Sequence, residues 1–256
     1  ILFVTLMGAS PGIWALIMHG CGAPIPLKEA YEVWWISNLG KYVPGKVWLV
    51  AGRALLAKKW GTAVVLESFV WEFVSGISSA LLAGCTLLLL PETPVEWRWI
   101  LLPAAVSLLP LASPSIVQMS MRRPIRMIGK KDWREPVKMS RSRYFLVLIL
   151  MTLTWLVWGL AHRYLLLGIG LDAPIIAYVG AYSLAWAAGY VVLILPAGMG
   201  VREGALSVLL APYMVTGGGA LCALLSRTAI LFAELTAFMI GLIIRGGLGL
   251  STPNLD

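Results

Sequence analysis

The residues of this chain that could do chemistry are few, and most are charges set inside apolar sequence. Lys41, Lys46 and Arg53 lie in NLGKYVPGKVWLVAGR, residues 38–53, where Pro44 and Gly45 interrupt two hydrophobic runs. Glu72 stands in the long apolar run that follows, with Glu67 nearer its start. Arg202 and Glu203 come just after a second break, LPAGMGVREG at residues 195–204, and Arg227 and Glu234 lie in the last apolar run. A charge at the centre of a bilayer costs roughly 2.5–3.5 kcal/mol on the insertion scale, so such residues pair or face a polar cavity. Arg227 and Glu234 are two helical turns apart and share a face, which predicts a common polar stripe. Cations beside a helix break also join freed backbone N–H groups and a helix N-terminus, both attractive to an anion such as a lipid phosphate.

Each of these has a competing structural reading. Lys41, Lys46 and Arg53 are long enough to snorkel to the headgroups. Arg227 and Glu234 suit ion pairs between helices, Arg202 and Glu203 a local pair capping the helix after the break, and Glu67 an interfacial position.

Other chemistries find little support. Gly40 to Lys46 spells G-x-x-x-x-G-K, but Val47 stands where a phosphate loop needs Ser or Thr, and no strand precedes it. His19 and His162 are solitary, expected at the membrane interface, and no metal site is expected. Ser37, Ser226 and Asn38 offer no nucleophile–base arrangement. Cys21, Cys85 and Cys222 lack CxxC spacing and read as small apolar residues. The expectation is a protein without cofactor or metal, and not an enzyme.

The elements that must position these charges are helices in a membrane. Of 256 residues, 59% are hydrophobic and 12% charged, about half the charge of a soluble domain. Apolar runs of roughly 20 residues predict an all-α polytopic membrane protein, a single transmembrane domain over residues 1–256. The net charge of +8 concentrates in a few loops and aromatics are not interleaved with it, so it reports topology rather than nucleic-acid binding. Trp97 and Trp99 suit interfacial anchoring.

Five full spans are expected: residues 1–22, kinked at Ser10-Pro11-Gly12, then 62–90, 99–121, 144–168 and 220–244. Residues 27–59 do not fit as a sixth. As one helix they would run on the order of 50 Å, while each arm beside Pro44 is about 24 Å, short of a ~30 Å core. A re-entrant hairpin with both ends on one side accommodates Lys28, Lys58 and Lys59. A kinked single crossing is the alternative. The strongly basic connector at residues 122–143 is expected to be cytoplasmic. Three crossings then separate the two breaks, so the hairpins point in opposite directions, an inverted-topology repeat with halves at about 27–90 and 172–245. The apolar run at 173–195 is long enough to cross alone and is the exception to that symmetry. Gly76, Ala80 and Gly84 form a small-residue stripe suited to close helix packing.

The paired breaks resemble the lysylphosphatidylglycerol synthase transmembrane-region family of flippase-like proteins. Asn38, Tyr42, Pro44 and Gly45 match its N-x-x-x-Y-x-P-G motif, and Pro196, Gly198, Gly200, Arg202 and Glu203 its P-x-G-x-G-x-R-E motif. The resemblance runs from about residue 31 to 244. It implies movement between leaflets of an anionic or aminoacylated phospholipid, or of a polyprenyl-phosphate-linked sugar, in a prokaryotic plasma membrane. It admits a lipid-modifying enzyme as partner, and its motif residues Asn38, Tyr42, Arg202 and Glu203, taken with the charges read above from the sequence, Lys41, Lys46, Arg53, Glu72, Arg227 and Glu234, are the expected substrate-binding set. Two other readings stay open: a non-transporting scaffold that docks such an enzyme through residues 122–143, and an integral membrane enzyme using Glu72 or Glu234 as general base.

Overall fold

The computed structural model describes residues 2–44, 47–97, 99, 115, 139–192 and 195–247. Gly45, Lys46, nearly all of the span expected at 99–121 and most of the basic connector at 122–143 lie outside them. The described residues form helices α1 (Leu2–Met7), α2 (Ala9–Gly20), α3 (Leu27–Asn38), α4 (Val47–Leu56), α5 (Thr62–Gly84), α6 (Arg141–Leu167), α7 (Ile175–Val191), α8 (Val201–Leu210) and α9 (Gly218–Gly247), with no strand among them. Phe3–Gly20, Thr62–Leu89, Arg141–Leu167 and Gly218–Gly246 are long and apolar enough to cross a membrane. This is an all-α polytopic membrane protein. The outer faces of α6 and α9 expose Ile149, Leu153, Phe232, Met239 and Ile243, a surface suited to lipid rather than water.

The kink expected at residues 10–12 falls at Gly8 instead, between α1 and α2. Pro11 has no N–H for the carbonyl of Met7 four residues back. That carbonyl accepts from the indole Nε1 of Trp35 at 3.1 Å, so the proline break is satisfied by α3.

Both sequence breaks are helix–turn–helix units. Helix α3 ends in a tight turn, Leu39–Tyr42, and α4 packs back against it. At about 18 and 15 Å neither arm is long enough to cross a bilayer core. The apolar run at 173–195 is helical only as α7, about 25 Å long, and α8 turns back against it after the Pro196–Gly198 turn.

The two units pack reciprocally. The first arm of each lies on the long helix that follows the other unit in the chain, α3 on α9 and α7 on α5, while the second arms lie on the long helix that follows their own, α4 on α5 and α8 on α9. The turn Leu39–Tyr42 touches the turn Pro196–Gly198. Small residues bring the helices this close. A Cβ on Gly84 would meet Leu184 at 2.4 Å and one on Gly76 would meet Trp186 at 3.2 Å, so the stripe on α5 seats α7. Gly159 on α6 lies similarly close to Val179.

At the base of the second unit, Arg163 donates from Nε and Nη2 to both carboxylate oxygens of Asp172, at 2.9 and 2.8 Å. These bonds hold the Asp172 carboxyl below its ordinary value. The stability they contribute is present above the unfolded carboxylate's pKa and lost as pH falls through the lowered one.

Gly198 combines a left-handed backbone, φ +70, with crowding, since a Cβ there would lie 2.6–2.8 Å from the backbone of Gly189. Gly198→Ala is expected to cost about 1–3 kcal/mol through crowding and left-handed strain. Gly12→Ala, with nothing within 4 Å of its Cβ, is expected to be neutral or slightly stabilising. Thermal unfolding in detergent followed by tryptophan fluorescence distinguishes the two. Equal effects would mean that the Gly189–Gly198 contact does not constrain the fold.

Candidate functional site

Where the two turns meet, the protein has a partly open cavity of about 160 Å³. Its polar lining comes from both breaks and both long helices: Asn38, Lys41, Arg53, Glu72, Arg202 and Glu234. Residues separated by nearly 200 positions thus face one space, because the reciprocal packing carries α9 against α3 and α8 against α7.

Arg53, on α4, and Glu234 are the most enclosed of these, each side chain 2% exposed. Arg53 donates to the Glu72 carboxylate and, from Nε, to Ser37 Oγ at 3.3 Å. The rings of Trp14, Trp34 and Phe69 surround its guanidinium at 5.2–5.9 Å, a cation–π arrangement. Glu72 also accepts from Trp34 Nε1 at 2.8 Å, so one carboxylate joins α3, α4 and α5. Arg53 therefore points inward, and snorkelling is not its role here.

Glu234 does the equivalent for the first turn. Its Oε1 accepts from Lys41 Nζ at 2.5 Å and its Oε2 from the Tyr42 hydroxyl at 2.7 Å. Lys41 also reaches Asn38 Oδ1 at 3.4 Å. Arg227 lies over the Tyr42 ring at 5.3 Å, so the polar stripe expected on the last helix exists, with both members turned to the first break.

The local pair expected between Arg202 and Glu203 does not form. Glu203 Oε2 accepts the Gly200 N–H at 2.7 Å, capping α8, and Oε1 lies 3.5 Å from Arg227. Successive residues of a helix point about 100° apart. Arg202 therefore turns to the cavity side, where it donates to the Tyr182 hydroxyl and lies over that ring at 4.9 Å. No carboxylate lies within ion-pair distance of Arg202 among the described residues.

The remaining expected residues divide simply. Tyr42, Glu203 and Arg227 belong to the same polar network without lining the cavity. Pro44 is exposed at the turn, while Pro196, Gly198 and Gly200 shape the second turn; Lys46 and Gly45 are not described. Glu67 and His162, expected at an interface, are buried instead. His162 packs on Tyr182 with 4.0 Å between centroids, and its Nδ1 lies 2.6 Å from the Trp158 carbonyl. Among the described residues no cluster of three or more potential metal ligands is present.

Sequence reasoning missed the aromatic wall of the cavity, formed by Trp155, Trp158, Tyr182, Trp186 and Tyr190. Trp158 stacks on Tyr182 at 5.3 Å and Trp186 on Tyr190 at 4.4 Å. The only available signal was spacing: Tyr182, Trp186 and Tyr190 recur every four residues and share a helix face. In so apolar a chain that pattern does not separate a cavity wall from a lipid-facing stripe.

The fold and site define a helical membrane protein with a charged cavity between two interrupted helical units. The Lysylphosphatidylglycerol synthase TM region family matches residues 1–238, and the chain belongs to that family. No curated protein and no solved structure matches it.

Arg53→Gln is expected to lower stability by about 3–5 kcal/mol, since it leaves Glu72 without its buried partner. The double substitution Arg53→Gln/Glu72→Gln should cost less than the sum of the two single ones, a coupling readable from thermal unfolding in detergent. Strictly additive losses would show that the pair is not held in the folded protein.

Proposed function

We propose that this protein moves a phosphate-bearing lipid between membrane leaflets, its headgroup passing through the cavity while its tails remain in the bilayer. The observation that carries this is Arg202: a cation without a carboxylate partner among the described residues, facing a partly open cavity where two broken helical units meet. Ion pairs that serve only the fold have no need of a surplus cation at membrane depth, where charge is costly.

The membrane arrangement follows from the same reading. The two helix–turn–helix units are re-entrant hairpins opening to opposite sides, as in transporters built from inverted repeats. The reciprocal packing of α3 on α9 and α7 on α5 supports that relation. The basic connector at residues 122–143 faces the cytoplasm of a prokaryotic cell. The occupant is an anionic or aminoacylated phospholipid or a polyprenyl-phosphate-linked sugar, and the protein is a transporter rather than an enzyme.

The test is translocation in proteoliposomes with headgroup-labelled phospholipids and polyprenyl-phosphate sugars. Wild-type protein should move at least one of them well above the rate in protein-free vesicles, and Arg202→Ala should return it to that background while keeping the wild-type unfolding temperature. Movement no faster than in empty vesicles across both lipid classes would overturn the proposal. Chemical conversion of a lipid by the purified protein would favour an enzyme instead.

A further inference from the structure

The charges around the cavity are unequal, and the inequality has a location. Among the described residues the lining carries three cations, Lys41, Arg53 and Arg202, and two carboxylates, Glu72 and Glu234. Each carboxylate is bonded to one cation, Glu72 to Arg53 and Glu234 to Lys41. The neighbouring Glu203–Arg227 pair is itself neutral. One positive charge is left over, on Arg202.

Arg202 is also the least committed of the three. A guanidinium carries five N–H donors, and the only hydrogen bond of Arg202 among the described residues goes to the Tyr182 hydroxyl. Because Tyr182 accepts in that bond, it keeps its own hydroxyl proton, for which no acceptor is present among the described residues. Two side chains on facing helices thus present a planar cation and a neutral donor to the same space. Their positions are fixed from behind. Tyr182 packs against Trp158 and His162, and the Cβ of Arg202 lies 2.9 Å from where a Cβ on Gly189 would be.

Resting on the transport reading above, we propose that Arg202 and Tyr182 form the seat of the substrate's phosphate. The seat selects a headgroup with one net negative charge, a phosphate diester without compensating amines. A diester presents two free oxygens, one for the guanidinium fork and one for the tyrosine hydroxyl, and its single charge neutralises the surplus on Arg202. A zwitterionic headgroup brings a cation into a space that already holds three. A lysyl ester of a phosphate diester carries two amines and is a net cation, so it fits less well still. A phosphate monoester dianion leaves one negative charge without a partner in a cavity walled largely by aromatic rings, where unbalanced charge is costly. The protein therefore acts on the lipid before rather than after any aminoacylation.

The experiment is competitive binding to the purified full chain, resolved by native mass spectrometry. Short-chain phosphatidylglycerol, phosphatidylcholine, lysylphosphatidylglycerol and phosphatidic acid are offered at equal concentration. Wild-type protein should favour phosphatidylglycerol over each of the others by about tenfold or more. Tyr182→Phe should weaken phosphatidylglycerol by about tenfold, the scale of one hydrogen bond to a charged group, without changing the unfolding temperature. Arg202→Gln removes the surplus and should shift preference towards phosphatidylcholine. Glu234→Gln doubles the surplus and should shift it towards phosphatidic acid, so the two substitutions move the ranking in opposite directions. If one variant does not fold, the other decides, because an unchanged ranking in either overturns the charge-matching argument. Soluble glycerophosphoglycerol should bind more weakly than the lipid; equal binding would identify a free diester as occupant and overturn the lipid form of the proposal. Equal binding of all four lipids, with translocation intact, would overturn the inference and leave the transport reading standing. Neither binding nor translocation of any lipid would overturn both.

Discussion

An ionised side chain among apolar helices has to be neutralised where it stands, and this protein places its helices around that requirement. Arg53 and Glu72 are separated by one turn and part of a helix, yet their pairing fixes α4 against α5, and the Trp34 indole on Glu72 adds α3. Glu234 applies the same constraint over a longer distance, tying the first turn to the last helix through Lys41 and Tyr42. Buried ion pairs are a weak source of net stability, because desolvation cancels most of their attraction. They do specify which helix lies beside which, since any other arrangement strands a charge.

Packing makes that pairing reachable. Two short helical units could rest side by side, each on its own long helix, and the cavity would not exist. Here their first arms exchange partners and their turns touch, with small residues along α5 seating α7 and the backbone of Gly189 closing on Gly198 within the second unit. The close approach of α8 and its turn to α7 at Gly189 also puts Arg202 opposite Tyr182. Site and fold therefore share one cause.

Much of this was legible in the sequence because membrane composition exposes its exceptions. In a chain with so little charge, the cations and acids in residues 38–53, 62–90, 195–204 and 220–244 stand out, and the Pro-Gly interruptions mark where helices must stop. Of the nine expected binding residues that are described, six line one cavity. The readings that needed correction were those that depended on a neighbour. His162 and Glu67 lie near predicted helix ends, which suggested an interface, but other helices cover them. Arg202 and Glu203 are adjacent, which suggested a pair, but consecutive helical side chains diverge and each found a partner elsewhere. The aromatic wall was hidden because a tryptophan in an apolar helix faces lipid or protein with the same local sequence.

By itself the sequence determined the class of protein, the two breaks and the set of charges that need an explanation, because hydropathy, proline and glycine act locally and are read along the chain. Tertiary structure decided the pairing. Lys41 goes with Glu234, Arg53 with Glu72 and Arg227 with Glu203, while Arg202 is left with a tyrosine and a share of the cavity. That assignment depends on which helix faces which across the bundle. No local rule supplies it, since the Coulomb energy of a buried charge depends on distances in space, not on separation along the chain.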